Sequence, residues 1–235
     1  MTFLRWEAPG PYEIVFTTRL GGVSDGPYAS LNLGRRTGDD VERVDENRRR
    51  ACAEIGADAD RLALNYQLHS AVVHRARPGA GGEPGDGLWT DEPDLPVLAM
   101  SADCVPIALA RVNGAAPAVA VVHVGWRGLL AGVIESAVTS LGGGGLAAAI
   151  GPAIGPCCFE VHDDVADPFR ARFGRDIVSD GRVDLWRAAD EALHEAGVDR
   201  IERVDLCTAC HPELFFSHRR DGKPRGVQGV LARVA

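Results

Sequence analysis

Short apolar runs alternate with amphipathic segments through the middle and the second half of this chain. Near-continuous apolar runs predict strands that are buried on both faces, over residues 97–100, 105–110, 118–124, 146–150 and 201–206. Apolar residues at helical spacing predict helices over residues 127–140, 165–173 and 185–196. Asp184 and Gly197 have the chemistry of an N-cap and a C-cap for the last of these helices.

Strands that alternate irregularly with helices predict an α/β (α+β) sandwich in which helices flank a mixed β-sheet core. The 235 residues, 46% of them hydrophobic, are enough to bury one substantial core, so a single catalytic domain over residues 1–235 is expected. Glycine-rich stretches over 78–87 and 142–145 predict loops that are too short to separate domains.

Charge and composition exclude several classes of protein. A net charge of −8 disfavours nucleic acid as a partner, because an acidic surface repels phosphate. No apolar run reaches about 18 residues, and the first residues do not resemble a secretory signal, so we expect a cytoplasmic protein that does not cross a membrane. The six cysteines are then expected to be reduced. The run 48–50, three arginines, is interpreted as a solvated helix face.

Three segments place a metal-ligand side chain beside an apolar strand. They read NYQLHS, SADCVP and VVHVGWRG, and they contain His69, Cys104 and His123. Two imidazoles and one thiolate fill three corners of a zinc tetrahedron, and an open fourth position would accept water or substrate. Spacing alone leaves other interpretations open, because a lone strand-end histidine is often structural and a lone cysteine is often a small buried apolar residue.

Two glycine-containing segments are candidates for binding an anion. Gly125 and Gly128 surround Arg127 where a strand must turn into a helix, and such a turn can present backbone N–H groups and a guanidinium. Arg19 precedes a double glycine and could clamp an oxyanion through two hydrogen bonds. Asn32, in the SLNLG segment that follows, is a further substrate-binding candidate.

Cysteines near the end of the chain form a second local pattern. Cys207 and Cys210, followed by His211, match a c-type haem attachment pattern, but that chemistry needs export. A zinc half-site would need a second spaced pair, and Cys157 and Cys158 are adjacent rather than spaced. We therefore expect small thiols that pack after a strand, and a thioredoxin-like redox pair is the other alternative.

Six segments taken together resemble one known family. In chain order they read TTRLGGVSDGPYASLNLG, NYQLHS, ADCVPI, HVGWRG, IGPAIGPCCFEV and CTACHPELFFSHRRDG, and they span about residues 16–222. They resemble the bacterial purine nucleoside phosphorylases related to laccase domain-containing protein 1, a family long labelled polyphenol oxidase or laccase. The resemblance implies a cytotoxic-necrotizing-factor-like fold and one Zn²⁺ per chain on His69, Cys104 and His123. It also implies phosphorolysis of adenosine, inosine, guanosine and methylthioadenosine, together with deamination of adenosine.

The resemblance also suggests roles for neighbouring residues. Phosphorolysis needs an anion clamp, for which Arg19 and Arg127 are the candidates. Deamination needs a proton shuttle and a zinc-activated water, and Asp103 is adjacent to the zinc-ligand cysteine. The chain departs from the family at Arg36, where many members carry a histidine, and in the segment after Arg220. Both departures are expected to change a pocket wall.

Three other functions remain open on the sequence. In a Cys–His hydrolase that edits cell-wall precursors, Cys104 would be the nucleophile and His123 its base. A copper polyphenol oxidase is disfavoured, because the chain has seven histidines and two methionines for several copper sites. A non-enzymatic zinc module would need a fourth ligand, for which His74 is the candidate. The expected assembly is a monomer or a small homo-oligomer.

Overall fold

Two six-stranded sheets pack face to face, and each carries helices on its outer side. This architecture comes from a computed structural model that describes residues 3–198 and 200–235. The first sheet contains, in spatial order, β1 (Phe3–Arg5), β2 (Tyr12–Thr17), β14 (Gln228–Val234), β7 (Val97–Ser101), β3 (Ala63–Tyr66) and β5 (Gly81–Pro84). The second contains β13 (Arg200–Arg203), β10 (Leu146–Ile150), β8 (Val105–Arg111), β9 (Val119–Val124), β6 (Gly87–Thr90) and β4 (Val73–Arg75).

Both sheets mix parallel and antiparallel pairs. Strand β14 is antiparallel to β2 and β7, whereas β3 is parallel to β7 and β5. In the second sheet β8, β9 and β10 are antiparallel neighbours, and β13 is parallel to β10. A separate two-stranded ribbon joins β11 (Val178–Ser179) to β12 (Arg182–Val183). The predicted mixed sheet core in an α/β sandwich is therefore confirmed.

Helices cover the outer faces of both sheets. They are α1 (Val41–Glu54), α2 (Trp126–Leu130), α3 (Val133–Ser140), α4 (Asp163–Phe173), α5 (Leu185–Glu195) and α6 (His218–Asp221), and single 3₁₀ turns occur at Gly26–Tyr28, Ala59–Arg61 and Arg175–Ile177. None of these helices combines the length and the apolar character needed to cross a bilayer. Asp184 caps α5 as predicted, because its side chain accepts a hydrogen bond from the Arg187 N–H at 3.0 Å.

Three apolar layers explain why the central strands are apolar on both faces. Between the sheets, bulky residues of the first sheet such as Phe16 pack against small residues of the second such as Ala149. Outside the first sheet, Ile55 at the end of α1 packs in a cluster with Leu98 of β7. Outside the second sheet, β8, β9 and β10 pack against α3 and α5. Burial of apolar area on both faces of each sheet supplies the main driving force for the fold.

Several sequence predictions differ from the structure in detail. The predicted helix over 127–140 is divided into α2 and α3, because Gly132 adopts a left-handed φ of 88° between them. The predicted strand over 201–206 is shorter and corresponds to β13. The interpretation of 48–50 as a solvated face is wrong at Arg48, which is buried and donates to the Leu33 carbonyl at 2.8 Å. Arg49 and Arg50 are exposed as expected.

Candidate functional site

Three chain crossings between the two sheets bring the candidate metal ligands together. Strands β3, β5 and β7 belong to the first sheet, and each leads along the chain into a strand of the second sheet. His69 lies in the first crossing, Asp86 in the second and Cys104 in the third. His123 lies on β9, where its register partner is Pro106 at the beginning of β8. The site is therefore built from segments that are far apart in sequence.

The three predicted zinc ligands form one compact donor set. The candidate ligand atoms of His69, Cys104 and His123 all lie within 4.8 Å of one another. Cys104 Sγ is 3.6 Å from His69 Nε2, and the two imidazole rings meet edge to face with centroids 4.9 Å apart. Among the described residues no fourth His, Cys, Asp or Glu belongs to the group. Two imidazole nitrogens and one thiolate sulfur are a donor set that could hold a metal ion.

His74, the candidate for a fourth ligand, lies elsewhere. His74 lies on β4, and its Nε2 is 3.0 Å from the carbonyl oxygen of Pro84 on β5. It is not a member of the metal-ligand group. A closed four-ligand structural site therefore has no support from this residue.

The carboxylate of Asp86 accepts hydrogen bonds from His123 and from the loop 68–70, which contains His69. One carboxylate oxygen accepts from His123 Nδ1 at 2.8 Å and from the His69 N–H at 2.9 Å. The other accepts from the Ser70 N–H at 2.6 Å, the Ser70 hydroxyl at 2.7 Å and the Leu68 N–H at 3.1 Å. Because a carboxylate only accepts, it fixes the Nδ1–H tautomer of His123 and leaves Nε2 for a metal. The sequence interpretation missed Asp86, whose only signal is an acid between a glycine-rich loop and an apolar strand.

Electrostatics in the donor set favour charged forms. Burial would raise the pKa of the Cys104 thiol, but the charge and hydrogen bonds of His123 and the hydrogen bond of His69 lower it to about 6. Burial would lower the pKa of His123, but the Cys104 thiolate and Asp86 raise it to about 9. Burial also opposes ionisation of Asp86, yet hydrogen bonds from His123 and Ser70 hold its pKa well below the ordinary range. A thiolate ready to bind a cation is the result.

The two glycines of the HVGWRG segment make room for the ligand loop. A Cβ on Gly125 would lie 2.1 Å from Cδ2 of His69, and a Cβ on Gly128 would lie 2.9 Å from the Ser70 carbonyl oxygen. Arg127 between them is exposed, and its guanidinium lies over the Trp126 ring at 4.1 Å. The segment therefore serves close packing of the metal ligands, whereas the expected role was to present an anion-binding turn.

Asp103, the predicted proton shuttle, is held in a strained position beside Cys104. Its φ is 95°, a left-handed conformation that is unfavourable for an aspartate. One carboxylate oxygen accepts from the Thr208 hydroxyl and the other from the Arg219 N–H, both at 2.6 Å. The side chain is buried, so these bonds offset the strain and fix the direction of the chain at Cys104.

A cavity of about 1230 Å³ opens onto the donor set. His69, Cys104 and His123 line it together with both basic and acidic side chains. The basic ones, besides the two candidate ligand histidines, are Arg35, Arg36, Arg48, Arg49, His218, Lys223 and Arg225. Ligand sites for small molecules are commonly about 300–1,000 Å³, so the space is sufficient for a nucleoside together with an anion.

Two predicted substrate-binding residues are committed to the fold, and neither lines this cavity. Arg19 donates from Nε to the Ala29 carbonyl at 2.7 Å and from Nη1 to the Pro212 carbonyl at 2.9 Å. Asn32 is fully buried, and its amide joins the Thr37 side chain to the backbone of the C-terminal segment. The polar atoms of Arg19 and Asn32 form hydrogen bonds between distant loops, whereas the sequence predicted that these residues contact the substrate.

Arg225 and Arg36, which the resemblance marked only as departures, lie in the cavity wall. Arg225 has its Nε buried with no hydrogen-bond partner among the described residues, and burial lowers its pKa. Arg36 places its guanidinium 4.0 Å from the ring centroid of Tyr66, a residue that also lines the cavity. Nη1 of Arg225 donates to the Gly222 carbonyl at 3.2 Å, so its Nε is left for an anion, and the Arg36–Tyr66 pair is suited to a planar ring.

Residues 13–234 match the family model described as "Multi-copper polyphenol oxidoreductase laccase". The chain belongs to this family. Relatives in it carry the name purine nucleoside phosphorylase. A Pseudomonas aeruginosa protein of that name is 37% identical over 228 residues, covering 93% of this chain and 92% of the relative. The Escherichia coli protein YfiH, also named a purine nucleoside phosphorylase, is 36% identical over 230 residues, covering 92% of each chain.

Solved structures of family members have the same fold. The Neisseria meningitidis protein NMB0706 matches with a TM-score of 0.90 and 34% identity, covering 100% of this chain and 99% of that one. YlmD from Geobacillus stearothermophilus matches with a TM-score of 0.90 and 35% identity, covering 100% and 96% of the two chains. The family resemblance drawn from the six segments is thereby confirmed.

Proposed function

We propose that this protein is a zinc-dependent purine nucleoside phosphorylase that also deaminates adenosine. The observation that supports it most is the three-ligand set of His69, Cys104 and His123 at the wall of a cavity that is also lined by an arginine whose buried Nε has no hydrogen-bond partner in the described residues. The names of the relatives support the phosphorylase half. The proposed substrates are adenosine, inosine, guanosine and methylthioadenosine, with phosphate.

Zinc fits the donor set better than copper. A multicopper oxidase needs several copper centres, and the described residues contain one group with histidines, which holds two imidazoles and one thiolate. The carboxylate that orients His123 is the support commonly found behind a zinc-bound histidine. A zinc ion on these ligands would act as a Lewis acid and lower the pKa of a water molecule.

Arg225 is the proposed phosphate-binding residue. Its buried Nε has no partner, so an oxyanion in the cavity would satisfy a group that is otherwise costly to bury. Lys223 and Arg36 line the same cavity and add positive charge. This assignment replaces Arg19 and Arg127 as the clamp, because neither guanidinium lines the cavity. Phosphate held against the open side of the donor set could attack the anomeric carbon as the glycosidic bond loosens.

Asp103 is proposed as a positioning residue. Both of its carboxylate oxygens already accept short hydrogen bonds, so its main effect is on the geometry of Cys104. Tyr66, with Arg36 over its ring, is proposed to contact the purine. Asp103 would therefore act behind the metal ligands, and Tyr66 would act at the purine base.

The remaining expectations are carried forward as proposals. We propose that residues 1–235 act as one catalytic domain, since the inner faces of both sheets share one apolar layer. We also propose a cytoplasmic location, consistent with six free cysteines, and a monomer or small homo-oligomer. The acidic net charge of −8 supports small-molecule partners over nucleic acid.

The test combines activity with metal analysis on one preparation. Inosine and adenosine turnover should depend on phosphate, and Cys104→Ala should lose phosphorolysis, deamination and one equivalent of zinc per chain. Cys52→Ala, which removes a buried thiol outside the site, should keep all three properties. Full phosphorolysis by Cys104→Ala that lacks this zinc would overturn the proposal.

A Cys–His hydrolase that edits cell-wall precursors is the second candidate. It gains support from Asp86, which orients His123 as the third member of a Cys–His–Asp arrangement with Cys104. Iodoacetamide separates the two functions, because a nucleophilic thiol is free whereas a zinc thiolate is protected. Alkylation of Cys104 in the protein as purified, with loss of an amidase activity, would favour the hydrolase.

A further inference from the structure

Four cysteines form a second cluster, and none of them lines the cavity. The Sγ atoms of Cys157, Cys158, Cys207 and Cys210 all lie within 4.8 Å of one another. Cys210 Sγ is 3.4 Å from Cys158 Sγ and 3.6 Å from Cys157 Sγ. The expectation that the adjacent pair lacks the geometry to group with Cys207 and Cys210 is wrong, because the turn at Cys157 and Cys158 directs both side chains toward Cys210.

Two tight turns present these thiols. In the first, the Cys158 N–H donates to the Gly155 carbonyl at 2.9 Å, and in the second the Cys210 N–H donates to the Cys207 carbonyl at 3.2 Å. A parallel bridge between Ala153 and Cys207 holds the turns side by side. The Gly155 N–H also donates to Cys207 Sγ at 3.3 Å. A C-x-x-C turn is the usual half of a structural zinc site, and the first turn supplies the other half.

The backbone around the thiols is braced by two arginines of α6. Arg219 donates to the carbonyls of Cys158 at 3.1 Å and Glu160 at 2.8 Å. Arg220 donates to the carbonyl of Thr208 at 2.8 Å, in the second turn. These hydrogen bonds therefore restrain both turns in part before any metal binds. Such prior restraint lowers the conformational cost of holding four side chains around one ion.

The distances between the four sulfur atoms and their chemistry indicate a metal ion and not a disulfide bond. The two Sγ–Sγ distances of 3.4 and 3.6 Å are much longer than a disulfide bond of about 2.05 Å. A tetrahedral zinc with Zn–S bonds of about 2.3 Å places its sulfurs about 3.8 Å apart. Four sulfurs without any imidazole or carboxylate form a soft donor set, which selects zinc over magnesium or calcium.

We propose that Cys157, Cys158, Cys207 and Cys210 bind a structural Zn²⁺ as a tetrathiolate. Each thiol gives up its proton to solvent when the metal binds, and no electron is transferred. Cys157 and Cys210 are exposed, so the ion has a path from solvent, whereas Cys207 is buried beneath it. All four coordination positions belong to the protein, which makes this a closed site.

The second metal stabilises a segment that supports the first site. Thr208 lies between Cys207 and Cys210, and its hydroxyl holds the Asp103 carboxylate beside Cys104. Fixing the second turn therefore fixes a hydrogen bond behind the catalytic thiolate. Loss of the ion should lower the Tm and loosen this support, while leaving the ligands of the catalytic site in place.

Metal analysis of full-length variants tests the inference and keeps it distinct from the proposed function. The wild type should contain about two zinc ions per chain, Cys210→Ser about one and Cys52→Ala about two. Cys104→Ala should also contain about one, and the Cys104→Ala, Cys210→Ser double variant none. Unchanged zinc in Cys210→Ser would overturn the tetrathiolate site, whatever the result for Cys104→Ala. Iron in place of the second zinc would overturn the assignment of the metal.

A chemical measurement covers the case in which Cys210→Ser folds poorly. In the native wild-type protein, iodoacetamide should spare the exposed thiols of Cys157 and Cys210 until a chelator removes zinc. After Co²⁺ replaces Zn²⁺, the thiolate-to-metal absorption should be dominated by the four-sulfur site and should persist in Cys104→Ala. Fast alkylation of Cys210 in the metal-loaded protein, or a disulfide that joins it to Cys157 or Cys158, would refute the site.

Discussion

Replacement of Asp86 by asparagine should weaken both the fold and metal binding. The carboxylate accepts five hydrogen bonds, and its side chain has 0% exposure. An amide keeps one oxygen and turns an NH₂ group toward the other donors. With the oxygen toward His123, the NH₂ meets the N–H groups of Leu68 and Ser70. In the opposite orientation it meets His123 Nδ1 and favours the Nε2–H tautomer, which cannot bind a metal.

The cost follows from the number of donors left without an acceptor. Two partly buried N–H groups at about 1.5 kcal/mol each give about 3 kcal/mol. For a chain of this length about 1 kcal/mol corresponds to about 3 °C, so the Tm of Asp86→Asn should fall by about 9 °C. Loss of the carboxylate behind a metal-bound histidine should weaken zinc binding by about 10–100-fold.

The assay is thermal unfolding of the metal-free and metal-loaded variant, with zinc affinity measured by chelator competition. Asp91→Asn is the matched control, because Asp91 forms a surface ion pair with Arg75 that should contribute little. A metal-free Asp86→Asn with the wild-type Tm would refute the hydrogen-bond reasoning. A lower Tm with unchanged zinc affinity would refute the role of Asp86 behind His123.

Three further predictions concern the glycine beside His69, the arginine proposed to bind phosphate and the pH dependence of the Tm. Gly125→Ala should lose catalytic zinc and activity, because the added Cβ would lie 2.1 Å from Cδ2 of His69. Gly81→Ala is the control and should keep its zinc content, because its nearest neighbour would be 3.8 Å away. Arg225→Met should raise the KM for phosphate by about tenfold or more, as loss of a charged hydrogen bond does, and Arg127→Met should leave it unchanged. In metal-free protein the lowered Cys104 pKa gives stability that is lost as pH falls through about 6, and the raised His123 pKa gives stability that is lost as pH rises through about 9. Between these values the two contributions change with pH in opposite directions, so the Tm of the metal-free wild type should change little there, and Cys104→Ala should remove the contribution that is lost at low pH.

The metal-ligand segments could be found from the sequence because each carries a local signal. Each candidate ligand lies in a short motif beside an apolar strand, and the family resemblance matches His69, Cys104 and His123 each to its own motif. The anion-binding residues carried no comparable signal. Arg19 and Arg225 both lie in polar segments rich in glycine or arginine, and only packing decides that Arg19 donates to two carbonyls away from the cavity while Arg225 lines the cavity with a free Nε.

By itself, the sequence determined the secondary structure of the central strands, the mixed sandwich and the three zinc-ligand candidates. These depend on periodicity and on short motifs, which are local properties. Only the tertiary structure decided that Asp86 stands behind His123, that Arg225 faces the cavity and that four cysteines from two turns meet. Each of these depends on where chain crossings converge, because the partners are separated by tens of residues and no pattern of spacing records their contact. Folding brings them together through burial of the two sheet faces, and the chemistry of the site follows from that packing.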